Sequence, residues 1–114
     1  MKKDNIDNEL KVETLLDRVS TSWDGVELEN YPSGKPTFTM QKITIPPKTK
    51  MASHSHTIMQ LGYILSGELT ITTDDGKTVT FKAGDPAVET VGKVHYGENK
   101  GDVDTVVVVV SLIT

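Results

Sequence analysis

Short β-type runs, cut by turn residues at close spacing, constrain this chain more than any other feature. Glu68-Leu69-Thr70-Ile71-Thr72-Thr73 alternates apolar and polar residues, placing Leu69 and Ile71 on one face. Asp74-Asp75-Gly76-Lys77 follows with the Asp-Gly pair of a tight hairpin, and Thr78-Val79-Thr80-Phe81 returns with Val79 and Phe81 inward. Upstream, a β-rich run over 37–45 is closed by Pro46-Pro47, which cannot continue a ladder. A second run over 58–65 is broken by Ser66-Gly67, Ala83-Gly84-Asp85-Pro86 and Gly92 mark further turns, and the last strand is expected at about 105–113. No βαβ rhythm interrupts the series, so an all-β sandwich or barrel is predicted.

With 114 residues the chain has room for one domain with a modest core, and pairing with a second copy would supplement it. A homodimer is therefore expected. The first 22 residues differ in texture: they are charged, and 12–19 could form a short amphipathic helical turn. The expected division is an N-terminal extension, 1–22, packing on a barrel domain, 23–114. A net charge of −4 disfavours nucleic acid or an anionic membrane as the main partner. No apolar run approaches the roughly 20 residues of a membrane helix, and no hydrophobic stretch follows Met1-Lys2-Lys3 as a secretory signal requires. The absence of cysteine excludes disulfides and thiol catalysis, and a cytoplasmic location is the expectation.

The chemistry concentrates in three histidines, which are all the chain has. His54 and His56 stand at i and i+2, so on a strand both imidazoles aim at one point. Neutral imidazole suits zinc, iron, nickel and manganese comparably. A His-x-His pair alone is a weak signal, and two surface histidines at a strand entrance are the better account of it.

Spacing sharpens the reading. Lys48, His54, His56, Gln60 and Gly67 occupy the positions of G(X)5HXH(X)3-4E(X)6G, and Gly84, Thr90, Gly92, His95 and Asn99 those of G(X)5PXG(X)2H(X)3N. Seven of these ten positions match in identity. On these motifs the chain resembles the cupin family. The resemblance implies a double-stranded β-helix, a small jelly-roll barrel, in which His54, His56, the residue at the Glu slot and His95 converge on one divalent metal ion. Gly67 and Gly84 are read as turn residues, and Asn99 as a backbone-bonding residue rather than a ligand. Of the three departures, Lys48 and Thr90 concern turns, whereas Gln60 changes the chemistry: a neutral amide replaces a carboxylate. Gln60 either ligates the ion directly or hydrogen-bonds a bound water.

That departure weighs on function. Where the family's dioxygenases use the carboxylate as a base, Gln60 cannot. Thiol dioxygenases and oxalate decarboxylases of the family use arginine, and Arg18 is the chain's single arginine. Pectin-degradation cupins with three histidines and a glutamine add a late-strand aspartate, where this chain has five valines over 106–110. Among other acids and bases, Glu68 is read as solvated, and Glu89, in the strand leading to His95, is the weak catalytic candidate. Tyr96 is expected to point away from the ion. Met40, Met51 and Met59 are read as core, as are Phe38, Phe81, Leu65 and the valines. The apolar valine wall favours a small, partly hydrophobic ligand. The expected activity is that of a metal-dependent enzyme on a small organic molecule, with oxygenase-type chemistry ahead of sugar isomerase or lyase chemistry. A non-catalytic binding or sensor cupin is the alternative.

Overall fold

Among the described residues eight strands form, all paired antiparallel: five over the expected β-type runs and three short ones at 49–50, 86–88 and 95–99 that the runs did not announce. In the computed structural model, which describes residues 10–30 and 33–113, they are β1 (Thr37–Ile45), β2 (Thr49–Lys50), β3 (Met59–Ser66), β4 (Glu68–Thr73), β5 (Thr78–Lys82), β6 (Pro86–Val88), β7 (His95–Asn99) and β8 (Thr105–Ile113). Two four-stranded sheets result, in the orders β1-β8-β3-β6 and β2-β7-β4-β5. Consecutive strands fall in different sheets except in the β4–β5 hairpin, whose turn is closed by Thr73 N donating to Lys77 O (2.9 Å) and Gly76 N to Thr73 O (3.0 Å). The fold is the double-stranded β-helix.

Alternation decides what the two sheets bury. Ile45, Ile64, Ala87, Val107 and Val109 from the first sheet pack against Leu69, Ile71 and Phe81 from the second. Trp23 closes one end, with its ring edge-on to Phe81 at 6.1 Å between centroids. On β8 the odd positions face inward, so Val107 and Val109 line the interior while Thr105 and Ser111 are buried beyond them.

The same parity corrects three expectations of packing. Phe38 (73% exposed) and Leu65 (47%) lie on the outer faces of β1 and β3, as does Met40 (72%), because Ile43, Ile45 and Ile64 take the inward positions. The segment 12–19 forms no helix. A helix of that length is marginal without a packed face, and Leu15, Leu16 and Val19 stay exposed while Arg18 adopts a left-handed φ of 53°. Residues 1–9 of the expected extension lie outside the described residues.

Two turn positions show what the motif glycines are for. Lys48, in the first glycine slot, keeps the left-handed backbone with φ 56°, and its ammonium bonds Lys100 O at 2.9 Å. Gly67 has φ 77°, and a Cβ there would lie 2.6 Å from Asp104 O. No side chain fits at Gly67 without displacing the β7–β8 connection.

Candidate metal centre

The three histidines come together from two places in the chain. His54 and His56 sit on the irregular stretch between β2 and β3 rather than on a continuous strand. His54 alone makes a bridge, exchanging backbone hydrogen bonds of 2.9 Å each way with His95 at the start of β7. This bridge, and not strand alternation alone, brings the rings together. Their centroids lie 4.5 Å (His54–His95), 5.1 Å (His56–His95) and 6.0 Å (His54–His56) apart. Each offers a nitrogen within 4.8 Å of the others, so the three could hold one metal ion.

Their hydrogen bonding suits ligation. His54 Nδ1 donates to Ala52 O (3.0 Å) and His95 Nδ1 to Lys93 O (2.9 Å), which leaves each Nε2 lone pair free. Among the described residues neither nitrogen of the half-buried His56 makes a regular hydrogen bond, an arrangement costly for a buried imidazole unless something else binds it. Burial, then the neighbouring His95 and His54, hold the His56 pKa below its usual value, so the ring is neutral and able to ligate near pH 7.

The other two expected residues flank this triad. Gln60, inward on β3, donates from its amide nitrogen to Ser111 Oγ on β8 (2.9 Å). Glu89 lies just past the end of β6, not within a strand, and its Oε1 is 3.7 Å from His95 Nε2 and 3.9 Å from His56 Nε2. Burial pushes the Glu89 carboxyl up to about 7, with nearby His54 opposing the shift and Asp24 adding to it. Glu68 is exposed, and the Tyr96 ring lies under Lys50 Nζ (4.2 Å) rather than toward the histidines.

A cavity of about 160 Å³ opens beside the triad, bordered by His54, His95, Gln60 and Glu89 and walled by apolar side chains that include Ile43, Leu69 and Val109. For scale, an engineered cavity of about 150 Å³ holds benzene. Met51 lines it too, half-buried against the core, and among the described residues no lysine or arginine lines it.

Sequence reasoning missed the support beneath His95. Asp24, its side chain fully enclosed, accepts a hydrogen bond from Ser22 Oγ and pairs with Lys93 Nζ at 3.2 Å, while Lys93 also reaches Asp75 at 3.2 Å. The carbonyl of Lys93 is the one that orients His95. Burial raises the Asp24 pKa, but the Ser22 hydroxyl and Lys93 outweigh it and hold the carboxyl below its ordinary 3.8. Its stabilisation is therefore present above the unfolded value and lost as pH falls through the lowered native one. Asp24→Asn is expected to cost about 2 kcal/mol at pH 7. Thermal unfolding of the two proteins should converge below pH 3.8. A gap unchanged down to pH 2 would show that the carboxylate charge contributes nothing.

Comparisons with known proteins agree with the fold that carries this site. The profile of the family described as Cupin domain matches residues 41–111. A predicted oxalate decarboxylase from Thermotoga maritima is similar at 30% identity, over 66% of this chain and 65% of that one, with a TM-score of 0.58. This chain thus spans just under two thirds of that protein's length. A Cupin 2 conserved barrel domain protein from Salinispora arenicola is similar at 21% identity (74% of this chain, 70% of that one, TM-score 0.60). So is an uncharacterised conserved protein with a double-stranded β-helix domain from Klebsiella pneumoniae, at 24% (74% and 82%, TM-score 0.59). No curated protein matches the chain.

Proposed function

This chain belongs to the Cupin domain family, and from that premise we propose that it is a metal-dependent enzyme acting on a small, partly hydrophobic organic molecule, with oxygenase-type chemistry favoured. The observation that carries the reading is the convergence of three imidazoles at a small cavity with apolar walls. In it, His54, His56 and His95 hold one divalent ion, and Gln60 completes or adjusts the shell. A divalent transition metal there supplies Lewis-acid polarisation of a bound oxygen donor or a binding site for dioxygen.

The chain's own residues do the rest. Ala52 O and Lys93 O fix the tautomers of His54 and His95, so both present Nε2. Ile43, Leu69 and Val109 exclude water and orient the apolar part of a ligand. Glu89 Oε1, beside two of the imidazoles, places a carboxylate facing the ion they would hold. Oxalate chemistry, suggested by the name of the Thermotoga maritima protein, has weaker support. A dianion is usually gripped by guanidinium or ammonium groups, and the cavity lining contains neither.

The reading includes 23–114 as the one domain and a homodimer. Support for the homodimer is the apolar outer face of the β1-β8-β3-β6 sheet, where Phe38 and Met40 are largely exposed. Among the described residues no helix is long and apolar enough to cross a membrane.

The test is oxygen uptake by protein loaded in turn with iron, nickel and manganese, against catechol, enol and diketone compounds and against oxalate and an acidic sugar. Oxygen consumption with one of the first three classes is the expected result. Turnover of the acidic sugar or oxalate, with none of the others touched, would overturn it.

A further inference from the structure

The carboxylate missing from position 60 has a neighbour that can replace it. Position 60 is where the family motif has its glutamate, and Glu89 N donates to Gln60 O at 3.0 Å. The β3–β6 pairing runs Leu61↔Val88 and Gly62↔Ala87, so Glu89 continues the ladder opposite Gln60. Moving a carboxylate from one position to the other shifts its backbone by one strand spacing, about 4.8 Å. The Glu89 side chain reaches over Gly62, the next inward residue of β3, where a Cβ would meet its Oε2 at 3.9 Å, an ordinary contact.

The distances fit donors on a shared ion. Atoms about 2.1 Å from one ion lie roughly 3–3.5 Å apart at adjacent positions and about 4.2 Å apart at opposite ones. Glu89 Oε1 stands 3.9 Å from His56 Nε2 and 3.7 Å from His95 Nε2, inside that span and too long for hydrogen bonds. The carboxylate and the two imidazoles thus face one another across a gap. Charge points the same way. The Glu89 side chain is 14% exposed, and among the described residues no lysine or arginine pairs with it and its oxygens accept no hydrogen bond. An enclosed carboxylate without a cation is costly, and three neutral imidazoles leave a divalent ion without a counter-charge.

Resting on the reading of the three histidines as a metal centre, we infer that Glu89 is the anionic ligand of that ion, supplied from the end of β6 in place of the motif glutamate. Gln60, held by its amide nitrogen on Ser111, adjusts the shell beside it.

The test uses Co(II) as the probe ion, added to full-length protein prepared without a nickel column, with visible absorption and chelator competition as readouts. Wild type, Glu89→Gln, Gln60→Ala and the exchange variant Gln60→Glu/Glu89→Gln are compared, each checked for folding by circular dichroism. Glu89→Gln is nearly isosteric and should weaken Co(II) binding at least about 100-fold and alter the absorption bands. Gln60→Ala should weaken it less than about tenfold and keep the bands. The exchange variant should regain most of the affinity, because the carboxylate returns to the neighbouring position. Equal affinity and an unchanged spectrum in Glu89→Gln would overturn the inference while leaving the triad standing. Wild type that binds no Co(II) would overturn the metal centre itself, and the inference with it.

Discussion

His54→Ala is expected to abolish stoichiometric metal binding while leaving the protein folded. His54 is exposed, and its side chain bonds only Ala52 O, so its removal should change stability by no more than about 0.5 kcal/mol. Its Nε2, in contrast, is one of only three imidazole donors in the chain. Saturating an ion at about 100 times its Kd stabilises the native state by about 2.7 kcal/mol. In a domain of this size that corresponds to a rise of about 10 °C in Tm. Wild type should show this rise on metal addition, and His54→Ala should show none. Metal analysis of protein purified without a nickel column should agree, with near-unit stoichiometry falling to a trace. Equal metal content and an equal rise in Tm in the variant would remove His54 from the site. His95 is a poorer test, because it is 3% exposed and its loss would disturb packing as well as ligation.

Asn99→Ala should have the largest effect on stability without touching the histidines. Asn99 is 1% exposed at the end of β7. The two hydrogens of its Nδ2 are shared among Ile45 O (2.9 Å), Pro46 O (3.0 Å) and Val103 O (2.8 Å), and its Oδ1 accepts from Gly101 N (2.9 Å). One side chain therefore ties the end of β1 to the β7–β8 connection. Alanine would leave those backbone groups without partners where water has little access, at a cost of about 3–5 kcal/mol. Against a total stability of about 5–15 kcal/mol, that lowers Tm by roughly 15 °C or more. Asn99→Asp should be no better: it keeps the Gly101 bond but sets a carboxylate against three carbonyl oxygens. Thermal unfolding of both variants is the measurement. A loss below about 1 kcal/mol would mean that water replaces the amide at no cost.

Much of the fold was legible because its signals are local. Pro46-Pro47 ends β1, Asp75-Gly76 turns the β4–β5 hairpin, and the valine run becomes β8 at the expected residues. Period-2 alternation identified Leu69, Ile71 and Phe81 as core. Hydrophobicity alone misled at Phe38, Met40 and Leu65, since a hydrophobic residue on a strand says nothing of which parity faces in until a partner sheet covers one face. Asn99 was correctly read as a backbone-bonding residue, but the carbonyls it serves come from Ile45 and Pro46, far along the chain.

The site divides in the same way. By itself the sequence determined which imidazoles are available and their spacing, because the chain has three and each occupies a motif position. It also determined that position 60 carries an amide and that arginine is nearly absent. Only the tertiary structure decided what surrounds those rings. The register of β3 against β8 sets Gln60 opposite Ser111, the β3–β6 ladder carries Glu89 to Gln60's side, and the Asp24–Lys93 pair steadies the loop that orients His95. Each of these joins residues distant in sequence. Cross-strand register follows from how two sheets close over a common core, and no local run of residues encodes it.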